Sequence, residues 1–148
     1  MTTFEDEIRE VLKVEFGTGS LKEAGTADEI FRLIQHGYPI SGSKIDWKRV
    51  PGAIRCFEEI KSKRPERFIQ FFDEVCAQFE LKGPVLYAGD SATDFALAGS
   101  IQSMRRALPE LIDIPQHHYF VGPNASWCFC FTMEGDMDFG SVAAPPLS

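Results

Sequence analysis

The stretch SWCFCFTMEGDMDFG, residues 126–140, decides how this chain is read. In an extended backbone successive side chains alternate between two faces. Trp127, Phe129 and Phe131 then point one way and Cys128, Cys130 and Thr132 the other, so both faces are largely apolar. A strand with that pattern belongs at the centre of a sheet or under cover on both sides. Glu134, Gly135 and Asp136 have the composition of a turn, and "MDF" after them reads as a short return strand. The block therefore predicts a hairpin built into a sheet.

Working outward, "VLYA" and "HHYFV" are two further short apolar strands. Between them Ile101, Met104, Leu108 and Leu111 recur at helical spacing, with Pro109 expected to open a new turn or kink the helix. The first half reads as helices. Phe4, Ile8, Val11 and Leu12 share a stripe that "GTGS" stops, and Thr26 with Glu29 forms a capping box ahead of Ile30, Leu33 and Ile34, ended by Gly37. After the turn-rich connector "YPISGSKIDW", Ile54, Phe57 and Ile60 continue the helical period, with Glu59 and Lys63 an i,i+4 pair. Beyond Arg64-Pro65 comes the strongest helix, with Phe68, Phe72, Val75, Cys76 and Phe79 on one face. Helices followed by strands predict an α+β fold: a helical N-terminal half packed on a small, mainly antiparallel sheet formed by the C-terminal half. The 148 residues fit a single domain, 1–148, of which about 141–148, rich in proline and without periodicity, reads as a flexible tail.

Fifteen Lys and Arg against 22 Asp and Glu give a net charge of −7. Such a field repels a phosphate backbone and attracts a basic protein, so nucleic acid is not an expected partner. The apolar runs are too short to cross a bilayer and the acidic start lacks the features of a secretion signal, which places the protein in the cytoplasm. Cys56, Cys76, Cys128 and Cys130 are expected to be reduced thiols. Cys128 and Cys130 share a strand face, but two thiols are not a tetrahedral zinc site, and of the adjacent His117 and His118 at most one could reach them. They read as small core residues, and no metal or cofactor is expected.

Two acidic groups remain. "YAGDSATDF" resembles, over those nine residues, the loop of haloacid-dehalogenase-type phosphatases in which a strand ends in Gly-Asp and a second Asp follows four residues on. The resemblance implies Mg²⁺ held by Asp90 and Asp94, in a small hydrolase or phosphoryl-transfer enzyme. No Asp-x-Asp nucleophile motif accompanies it, and the preferred alternative is that Asp90 or Ser91 caps a following helix. Glu134, Asp136 and Asp138 cluster at the closing hairpin, Asp136 and Asp138 on one face, and with Asp90 and Asp94 they define a negative rim.

A helical front half, net acidity and the closing hairpin "WCFCFTMEGDMDFG" resemble the immunity proteins of bacterial polymorphic-toxin and contact-dependent growth-inhibition systems. This resemblance implies a non-enzymatic inhibitor of one cognate toxin domain, often a basic nuclease. Glu134, Asp136, Asp138, Asp90 and Asp94 are then the candidate partner-binding residues. Exposed acids there would speed association with a basic partner through long-range attraction.

Overall fold

A computed structural model describes residues 3–142, which form an α+β fold with N-terminal helices packed against an antiparallel sheet. The sheet is built largely from hairpin-like neighbours of the second half. Strands β5 (Val85–Gly89) and β6 (Phe95–Gly99) pair with each other, β7 (His118–Val121) pairs with β5, and β8 (Trp127–Phe131) and β9 (Asp136–Ser141) extend the sheet on that side. The first half contributes both borders. Strand β1 (Leu21–Thr26) pairs with β6 and strand β4 (Ile54–Phe57) with β9, giving the seven-strand order β1-β6-β5-β7-β8-β9-β4.

Helices cover one face as a layer and the other singly. On the face of Phe129, helices α1 (Phe4–Val11), α4 (Arg64–Gln78) and α5 (Ile101–Leu111) enclose an aromatic core, with the short α2 (Lys13–Thr18) beside them. Phe68 of α4 stacks on Phe131 at 4.6 Å and Phe72 lies 4.9 Å from Phe129, which itself sits 4.8 Å from Phe139. Burying each such ring contributes about 1.5–3 kcal/mol. On the face of Cys128 and Cys130, helix α3 (Ala27–Gly37) packs through Ile30 and Ile34, helped by the two-residue strands β2 (Ile40–Ser41) and β3 (Lys44–Ile45). Strand β8 is therefore covered on both sides, as its two apolar faces require.

The helix boundaries follow local chemistry. Thr26 caps α3, its hydroxyl accepting the Glu29 N–H, and Ser100 caps α5 by accepting from Ser103. Gly19, at φ 80°, takes the left-handed conformation that ends α2. Pro109 opens no new turn: α5 runs through it to Leu111, with the proline on its exposed side.

Several local expectations are corrected. Residues 54–57 are the edge strand β4, not a helix: Ile54 and Cys56 lean toward the aromatic core while Arg55 and Phe57 stay exposed, an alternation of period two. Glu59 accordingly lies in irregular backbone and Lys63 in a short 3₁₀ segment, and the two form no ion pair. No helix follows Asp90 and Ser91; the loop leads straight into β6, so neither residue is a helix cap. Ser141 pairs with Trp127 in the sheet and the Val142 N–H donates to the Ser126 carbonyl, which leaves 143–148 of the expected tail outside the described residues. Among the described residues no helix is long and apolar enough to cross a membrane.

Candidate functional site

The register gathers the acidic residues at one end of the sheet. Gly89 lies opposite His118, His118 opposite Phe131 and Phe131 opposite Met137, so the β5–β6 loop, the residues entering β7 and the β8–β9 turn are neighbours. Asp90 and Asp94 are exposed in the first of these, Glu134 is exposed in the last, and Asp136 is half-buried at the start of β9.

Hydrogen bonds hold this end firmly. The Asp90 carboxylate accepts the His117 N–H at 2.9 Å, and the His117 carbonyl accepts the Asp90 N–H. His117 Nδ1 in turn accepts the Met133 N–H at 3.0 Å, so that nitrogen carries no proton and the 3.9 Å approach of Glu134 is not an ion pair in this arrangement. Thr132 and Asp136 close the turn through backbone and hydroxyl bonds, with Gly135 at φ 96°. From below, Arg64 donates to the carbonyls of Glu58, Glu59 and Met133, at 2.8, 3.2 and 3.1 Å. The Glu134 carboxylate itself stays in solvent, held below its usual range first by its own backbone N–H.

Asp138 stands apart from the surface set. Its side chain is only 3% exposed, on the cysteine face between Cys130 and Arg55. Arg55 Nε lies 3.1 Å from Oδ1, but the approach is not aligned as a hydrogen bond, and Oδ1 has no other partner among the described residues. Burial outweighs the mostly exposed Arg55 and pushes the carboxyl up to about 6, with Asp136 adding repulsion. A partner arriving from solvent does not meet this carboxylate. Its burial follows from the alternation already visible in "DMDFG": on β9 the face opposite Met137 and Phe139 belongs to the cysteine side of the sheet, where Trp47 and Val50 lie over Gly140.

The cysteines behave as core. Cys128 and Cys130 are buried and unpaired by disulfide; desolvation raises both thiols, Cys130 to about 12. His118 faces the opposite side of the sheet from them. Among the described residues no group of three or more His, Cys, Asp or Glu side chains stands together as a metal site.

A buried polar network lies on the aromatic side of the same end. Tyr87 Oη and His118 Nδ1 share a hydrogen bond at 2.7 Å, while the Gln116 amide donates to Tyr87 Oη and Thr93 Oγ1, each at 3.0 Å. Gln116 Oε1 accepts the N–H groups of Ser91, Ala92 and Thr93, ordering the β5–β6 loop. Burial pushes the His118 ring down to about 4, so it is neutral at ordinary pH. No local motif signals this cluster, because Thr93, Gln116 and Tyr87 come from separate segments that only the register unites. The network forms the floor of an open cavity of about 640 Å³ between the start of α4, the segment after α5 and the end of β8.

Chemically, then, this end offers a rigid turn carrying exposed carboxylates and, beside it, an apolar-walled cavity. No protein-family model matches the chain, and no curated protein matches it.

Proposed function

We propose that the protein is a toxin-neutralising binding protein of the immunity class, acting on one cognate, basic toxin domain by surface complementarity. The observation that carries this reading is the β8–β9 turn: its backbone is fixed by Arg64, His117 and Thr132, while Glu134 extends into solvent. A fixed recognition loop loses little entropy on binding, and in a chain of net charge −7 its carboxylates favour rapid encounter with a basic partner. Asp90, Asp94 and Asp136 lie at the same end and enlarge the acidic rim. Asp138 lies beneath them as a core residue and does not meet the partner.

The test is co-expression with the C-terminal domain of a large secreted protein encoded beside this gene. Restored growth and a stoichiometric complex are the expected results. Growth arrest that the protein fails to relieve, with both chains folded, would overturn the proposal.

A further inference from the structure

The cavity beside the acidic turn carries a charge opposite to that of the molecule. Its walls are apolar over most of their area, formed by Pro65, Ile112, Ile114, Pro115, Phe131 and Met133, the last 53% exposed at the mouth. Much of its polar floor is engaged within the protein: Gln116 uses both amide hydrogens and its oxygen, and His118 Nδ1 is taken by Tyr87. At the rim stand Lys61 and Arg64. Neither has a carboxylate partner among the described residues. Arg64 is half-buried and three of its donors meet carbonyl oxygens, so two of the five N–H groups of a guanidinium and its whole charge are left uncompensated. A partly desolvated cation in that state favours an anion close by. Asp113, the one acid on the lining, leaves the site with a net positive charge.

From this we infer that the cavity binds a small amphipathic acid: an apolar aliphatic or aromatic body seated against Ile114, Pro115 and Phe131, with one carboxylate at Lys61 and Arg64. The volume of about 640 Å³ falls among small-molecule sites, which pair apolar walls with a few placed polar groups. Preformation also favours binding, since Arg64 straps the start of α4 to Glu58, Glu59 and Met133 and so fixes two walls together. The site lies outside the toxin reading: its ligand is a small anion, and it stands or falls whatever partner the acidic turn meets.

Decanoate and decanol serve as probes of equal chain length and different charge, titrated into the full chain and followed by calorimetry and amide chemical shifts. Saturable one-to-one binding of decanoate, about ten-fold or more tighter than decanol, is expected, the ratio for one charge-assisted contact. Lys61→Met, which leaves Arg64 in place, should lower that ratio while leaving decanol unchanged. Ser62→Trp, at an exposed position on the lining, should fill the mouth and weaken both probes with folding intact. Equal affinities for the two probes, binding undiminished by Ser62→Trp, or no saturable binding of decanoate at millimolar concentration would each overturn the inference.

Discussion

Replacing Asp138 by Asn isolates the cost of a buried carboxylate. The acid titrates near 6 in the folded chain against an ordinary 3.8. Each pH unit of such a difference is worth about 1.36 kcal/mol, so the ionised form opposes folding by about 3 kcal/mol once fully developed. The sign follows from proton binding. Between pH 3.8 and about 6 the folded chain holds the proton more tightly than the unfolded chain, so this group's contribution becomes less favourable as pH rises through that window and is constant above it. Asn has the shape of the neutral acid and no titration. The expected gain on Asp138→Asn is therefore near zero at pH 4, grows to about 1–3 kcal/mol by pH 7, and then levels off. The loss of Arg55 as partner subtracts little, because its side chain is 59% exposed. Urea unfolding followed by circular dichroism on both proteins at intervals from pH 4 to 8 gives the difference directly, and the difference cancels every other titrating group. An Asn variant less stable than the parent at pH 8, with the deficit vanishing on acidification, would refute the reasoning, for it would mean that the pair with Arg55 outweighs desolvation.

Other outcomes follow from the same geometry. Gln116→Leu strands Tyr87, Thr93 and three loop N–H groups at once and is expected to cost about 2–4 kcal/mol in urea unfolding, with loss of amide protection in residues 91–93. Gly89→Ala would drive a Cβ into the Gln116 side chain, and should destabilise by about 1–3 kcal/mol in thermal melts unless the network is also removed. Thiol titration of the native chain should label half-buried Cys56 well before the fully enclosed Cys128 and Cys130, which react only on unfolding. If the acidic turn docks a toxin domain, Glu134→Gln with Asp136→Asn should slow association and flatten its salt dependence in stopped-flow measurements, whereas Asp138→Asn should leave the salt slope unchanged.

Much of the architecture was legible because long-range burial left a local pattern. Strand β8 declared both its faces, and the buried stripe of Phe68, Phe72 and Val75 on α4 matches the helical period. What stayed hidden was structure whose pattern is made elsewhere. Strand β1, LKEAGT, has one buried position, Leu21, and is held by pairing with β6 rather than by its own composition. Strand β6 is alanine-rich, since Ala96 and Ala98 lie on the crowded α3 side, and its run offered neither β-branched residues nor alternation. At β4 the three-residue spacing of Ile54, Phe57 and Ile60 mimicked a helix, although Phe57 and Ile60 are exposed. The glycine of the Gly-Asp at the end of β5 is required by the Gln116 amide, which fills its Cβ space and comes from a distant segment. For the site, the exposed acids could be named from the turn, but which of them would sink into the interior depended on what covers the cysteine face of β9, where Trp47 and Val50 arrive from a distant segment.

The placement of β1 and β4 at the two borders has a consequence for the nascent chain. During synthesis the first 57 residues leave the ribosome before any of the five strands they border exists, so neither β1 nor β4 has its sheet neighbour when it emerges. Strands β5 to β9 then arrive in close succession, each finding a partner among those just made, and can assemble with modest loop closure. The borders must pair across the greatest chain separations, β1 to β6 and β4 to β9, which carries the largest loop-closure cost in the sheet. Until they do, β6 and β9 are open edges, and the chain is most exposed to pairing with a neighbour on the same message at that stage.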